Sequence, residues 1–166
     1  MQAITDTKHL TVQTLPPILV LTGEDVGQFE WLKKDILKKI GYDPSDLNYS
    51  YFDMKEASYA EVELDLVSLP FFADEKIVIL DHLLDLTTAK KRNLTDEDLK
   101  QFENYLENPS ESTRLVIFAE GKLDSKRRLV KLLKRDAQII EATTPKEQEV
   151  KRYFSSQAQE LGLNFV

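Results

Sequence analysis

The chain has 166 residues, 42% of them apolar and 31% charged, and carries a formal net charge of −7; this suits one domain with a real core and argues against nucleic-acid binding through bulk charge. It contains no cysteine and only two histidines, His9 and His82, which excludes disulfides, cysteine-ligated zinc and a thiol nucleophile and leaves no metal site to expect. No apolar run approaches the ~18–20 residues of a membrane span, and the start MQAITDTKHL lacks the basic and apolar stretches of a signal peptide, so a soluble cytoplasmic protein with no membrane partner is expected.

Residues 1–16 are polar and end in Pro16-Pro17, a lead-in arm. Ile18-Leu19-Val20-Leu21, closed by Thr22-Gly23, is a short continuous apolar run and predicts a strand buried on both faces. Glu24 and Asp25 suit a helix N-terminus, and Val26, Phe29, Leu32, Ile36 and Ile40 recur at helical spacing up to a stop at Gly41. Leu47 to Asp53, rich in aromatics, predicts a second strand. Ser58 with Glu61 three residues on is a capping box that opens a helix through Val67. Pro70 ends that helix, so Ser68 to Ala73 is a loop. Ile77 to Leu80, ending at Asp81, is a third strand.

Thr95 with Asp98 opens a helix running to about Leu106, and Leu115 to Phe118 predicts a fourth strand. Leu129, Leu132 and Leu133 give the next helix its apolar stripe, and Ala137 to Ile140 is a short fifth strand. Thr144-Pro145-Lys146-Glu147 starts a last helix with no strand after it. Strands and helices alternate five times, and the strands are continuous rather than alternating apolar runs. Both features predict an α/β fold: a three-layer parallel five-stranded sheet over residues 1–142. Residues 143–166 then open a helical second domain of a longer protein.

Ligands on such a fold bind at the carboxyl ends of the strands. Gly23, Glu24, Asp25 and Gly27 stand where a phosphate loop would. They are too short for one, lack its lysine and carry two acids that repel a triphosphate, so a tight strand-to-helix turn is the favoured reading. Asp81 resembles a Walker B acid, without the glutamate that usually follows. The alternative enzyme reading is a magnesium-dependent phosphoacceptor, receiver-like domain or a nucleotide-binding α/β domain, built on Glu24, Asp25 and Asp81. It lacks the lysine such a receiver domain carries after its fifth strand.

Leu69-Pro70-Phe71-Phe72 is either a loop whose phenylalanines tuck under the sheet or an exposed anchor for a partner's pocket. Lys122 to Arg135 holds seven basic residues against Asp124. Lys126, Arg127 and Arg128 within it are most simply a solvated face. Contact with DNA phosphates or with a partner subunit is the second reading, without interleaved aromatics to stack on bases. Lys90-Lys91-Arg92 is treated the same way.

Four segments together resemble the delta subunit of the bacterial DNA polymerase III clamp loader, closest to members from low-GC Gram-positive bacteria. They are Pro17 to Asp25, Ser68 to Asp74, Lys76 to Leu80, and Lys122 to Leu129, in that order along the chain. The resemblance implies an AAA+-like, P-loop-NTPase-like N-terminal domain with a degenerate nucleotide site, the first helix of a helical second domain, and a collar domain that lies outside this chain. It further implies a non-catalytic, cofactor-free subunit of a DNA-directed DNA polymerase holoenzyme. In the family, two adjacent apolar residues after the second helix enter a pocket of the ring-shaped sliding clamp (the beta subunit), and the ring is opened for loading onto primed DNA. Phe71 and Phe72 match those positions, where the family commonly has Leu-Phe. Other loader subunits would be met through the missing C-terminal region, and DNA only indirectly or weakly.

Overall fold

The computed structural model describes residues 10–70, 74–90 and 92–143. Five parallel strands form one sheet: β1 (Ile18–Gly23), β2 (Tyr49–Asp53), β3 (Lys76–Asp81), β4 (Thr113–Glu120) and β5 (Gln138–Ala142). Their order across the sheet is β2-β3-β4-β1-β5. Among the described residues the helices are α1 (Val26–Lys39), α2 (Tyr59–Val67), α3 (Asp96–Glu107) and α4 (Arg128–Asp136), with a 3-10 turn at Leu84–Leu86.

The three layers follow from the two-residue period of a strand. In β1, Ile18 and Val20 point into a core shared with α2, α3 and α4, while Leu19 and Leu21 point into a second core under α1. The strands in the middle of the sheet bury both faces, which is why β1 reads as an unbroken apolar run. β2 lies at the edge and is only half-buried throughout.

The predicted elements that fall on described residues are all present, with shifted ends. β2 begins at Tyr49, because Leu47 is exposed in the preceding turn. β4 extends the expected run in both directions. Val26 does not join the apolar stripe of α1: it lies in the first turn, more than half exposed, and Phe29, Leu32 and Ile36 carry the burial. Burying those three stabilises the helix by about 1.5–3 kcal/mol each, an upper figure for an extended unfolded chain. The arm also departs from expectation. Leu10 and Leu15 are buried beneath α1, so its end closes the second core rather than merely leading into it. The helix expected from Thr144 lies outside the described residues.

Both capping boxes form. Ser58 and Glu61 satisfy each other's backbone at the start of α2, and Thr95 and Asp98 do so at the start of α3. Burial raises the phenol of Tyr59 above the ordinary tyrosine value of 10.0, and burial together with the hydrogen bond to Asp81 raises that of Tyr51. In both, the neutral form is favoured in the folded state. Their contribution is therefore complete below pH 10 and is lost as pH climbs above it. Denaturant titrations between pH 9 and 12 are expected to show stability falling above pH 10, less steeply in Tyr51→Phe; a level profile would refute this.

Candidate functional site

Two regions merit comparison, the carboxyl ends of the strands and the end of α2. At the first, only Glu24 and Asp25 separate β1 from α1. Gly23 holds a positive φ of 122°. Any Cβ there would collide with the Ala142 backbone at the end of β5. Gly23 and Gly121 exchange backbone hydrogen bonds of 2.9 and 2.7 Å, and the Thr22 hydroxyl donates to the Gly121 carbonyl at 2.9 Å. These bonds draw the ends of β1 and β4 together.

The first turn of α1 is already supplied with an anion: the Asp25 carboxylate accepts from the Gln28 amide at 2.9 Å. Gln28 in turn accepts from the Thr143 amide at 3.0 Å, tying the helix to the end of β5. Glu24 is exposed beside this turn. The Gln28 amide, at the helix end where a phosphate would bind, therefore already has an internal acceptor, and the turn is two residues long where a phosphate loop needs several more.

Asp81 ends β3, on the same face as Ile77 and Ile79, and so points under α1. The Lys33 ammonium lies 2.5 Å from its carboxylate, the Tyr51 hydroxyl donates to it, and so does the His82 amide at 2.8 Å. Both members of the ion pair are largely buried, Lys33 at 13% exposure and Asp81 at 4%. His82 adopts a positive φ of 59°, and its ring nitrogen sits 3.0 Å from Asp53. The cation beside the Walker B-like acid is thus a lysine of the chain itself. Lys33 and Tyr51 were not legible as its partners, since they belong to other elements and no local spacing links them to Asp81.

The strand order bears on the receiver-like alternative. A receiver domain has the order 2-1-3-4-5, which sets its first and third strands side by side. Here β4 lies between β1 and β3, so Asp25 and Asp81 stand two strand spacings apart, roughly 10 Å. The acids are not gathered into one pocket, and no group of three or more potential metal ligands occurs among the described residues.

At the second region, α2 buries Tyr59, Val62 and Leu66 against the sheet. Its other side carries Leu64, 71% exposed, and Val67, 56% exposed; Leu69 in the following loop is 77% exposed. Leu64 and Val67 are one turn apart and share a face. Pro70 is half-buried, and Phe71 and Phe72 lie outside the described residues. The helix ends at Ser68, whose backbone turns to an extended conformation.

The three arginines of the basic segment are each paired with acids of the chain. Arg127 lies 3.6 Å from Asp124, Arg128 2.8 Å from Glu107 and 3.7 Å from Glu103 on α3, and Arg135 3.3 Å from Glu107. Lys126 is exposed. The charge pattern of α4 is thus in part the complement of acidic α3, a pairing invisible in either helix alone. No helix among the described residues is long and apolar enough to cross a membrane.

Comparison with known proteins gives the chain's relatives. The family model described as DNA polymerase III, delta subunit, matches residues 19–143. A DNA polymerase III subunit delta from Bacillus subtilis is 30% identical over 137 residues, which are 81% of this chain and 40% of that protein. Among solved structures, the Bacillus subtilis DNA clamp loader delta protein superposes with a TM-score of 0.69 at 24% identity, over 95% of this chain and 47% of the other. A DNA polymerase III gamma subunit-related protein from Thermotoga maritima superposes at 0.53 with 15% identity, over 95% of this chain and 50% of its own. The chain therefore spans less than half the length of the delta relatives it matches.

Proposed function

The chain belongs to the DNA polymerase III delta subunit family, and from that premise we propose that it is the part of a clamp-loader delta subunit that grips the sliding clamp. The observation that carries this reading is the apolar edge formed by Leu64, Val67 and Leu69, exposed on a protein whose other large apolar side chains are mostly buried. Contiguous exposed apolar surface of this kind marks an interaction site. It runs directly into Pro70-Phe71-Phe72, so the anchor would comprise Leu69, Pro70, Phe71 and Phe72 with one face of α2 beside them.

Bound in a pocket of the clamp, the anchor opens the ring only by binding the open or distorted form more tightly than the closed one. Nucleotide plays no part at this domain's own strand ends: the short Gly23–Gly27 turn, the Asp25 cap and the Lys33–Asp81 pair support that reading. Contacts with other loader subunits run through the rest of the longer protein. Work of this kind belongs in the cytoplasm, at the replication machinery.

Calorimetric titration of the sliding clamp from the same organism into this chain tests the proposal. Saturable binding is expected, unchanged by ATP and magnesium. A chain that melts cooperatively yet gives no heat with the clamp would defeat it.

A further inference from the structure

The end of α2 is held from below by two side chains of the sheet. Lys76 and Thr113 are register partners on β3 and β4, at the start of both strands, and both are 5% exposed. Lys76 shares its strand face with Val78 and Leu80, the face that α2 covers. Its ammonium donates to the Asp65 backbone carbonyl, to the Asp65 carboxylate at 2.7 Å and to the Ser68 hydroxyl at 2.7 Å. Thr113 donates to the Leu66 carbonyl at 3.1 Å. The last carbonyls of a helix have no partner within it, and here a buried cation and a buried hydroxyl supply two of them. A cation is also the charge that this end of a helix favours.

One further circumstance gives this arrangement a direction. Ser68 begins the segment that leaves α2, and Lys76 is the residue at which that segment rejoins the sheet. A single side chain therefore ties the two ends of the segment together. A buried lysine is an expensive way to finish a helix, since its charge must be fully paired. A purely apolar contact often serves stability equally well.

We infer that Lys76 is a positioning residue: by joining Asp65 and Ser68 to the start of β3, it fixes the exit direction of the apolar edge and holds it preorganised for its partner. Ordering that edge in advance spares the entropy that binding would otherwise lose. Thr113 supports the same geometry through Leu66. The inference rests on the clamp-binding reading above.

The test uses surface plasmon resonance of this chain on immobilised sliding clamp, with a thermal melt of every variant. Lys76→Met, which keeps the stem and removes the ammonium, is expected to bind at least tenfold more weakly. Val130→Ala, a core change on α4 that lowers the melting temperature without touching the Lys76 tie, is expected to leave affinity within twofold of wild type. That contrast separates positioning from general stability. Where Lys76→Met does not melt cooperatively, Ser68→Ala removes one arm of the tie and leaves the lysine paired; a loss of at least threefold is expected. Wild-type affinity in these variants, alongside loss of binding in Phe71→Ala/Phe72→Ala, would overturn the role of Lys76 and leave the clamp-binding reading intact. Absence of binding by the wild type would overturn that reading itself.

Discussion

The Phe71→Ala/Phe72→Ala double variant is expected to bind the sliding clamp at least a hundredfold more weakly than the wild type while melting at nearly the same temperature. Burying a phenylalanine side chain is worth about 1.5–3 kcal/mol, so two rings supply at least ~3 kcal/mol, and each 1.4 kcal/mol is a factor of ten in affinity. The two readings of the Pro70 loop separate on this pair of measurements. Phenylalanines tucked into the core would cost about 3–5 kcal/mol of stability each when truncated, and affinity would suffer only through unfolding. An anchor inverts that pattern. A cooperative melt at the wild-type temperature with full affinity would remove both phenylalanines from the interface and move the contact to α2 or elsewhere.

Lys33→Met is expected to destabilise the fold by about 3–5 kcal/mol, because it strands the Asp81 carboxylate in a site that is 4% exposed. For a domain of this size that corresponds to a melting temperature lower by about 6–20 °C. The His82 amide and Tyr51 hydroxyl remain as donors, but neither carries a charge. Exchanging the acid as well, in Lys33→Met/Asp81→Asn, should recover part of the loss, since no uncompensated charge is then buried. Clamp affinity should not change in either variant that remains folded, because Lys33 lies on α1 and the apolar edge on α2, across the sheet. A single variant within 1 kcal/mol of wild type would refute the stabilising role given to the Lys33 charge at Asp81.

These expectations differ in how they were reached. The extent of α2 is legible directly: a capping box at its start and a proline soon after its end. The degenerate turn after β1 is equally local, since its length and its missing lysine can be counted along the chain. The Lys33–Asp81 pair, the Lys76 tie and the neutralisation of Arg128 by Glu103 and Glu107 have no such signature. Each joins residues from different elements, at positions set by strand order and by which face a side chain takes.

The boundary between the two kinds of knowledge is physical. Local order depends on propensity, caps and apolar period, all properties of a few consecutive residues. For this protein they specify the five strands, the two capping boxes, the glycine turn and the alternation that makes the sheet parallel. Strand order depends on how helices pack across the sheet. It took the fold to set β4 between β1 and β3, and so to part the acids that a phosphoacceptor would gather. The cores under α1 and beneath α2 to α4 likewise decided that Val26 is exposed, that Leu10 and Leu15 are buried, and that a lysine stands where a bound cation would. Burial energy is collected over the whole interface between layers, and no short stretch of sequence contains it.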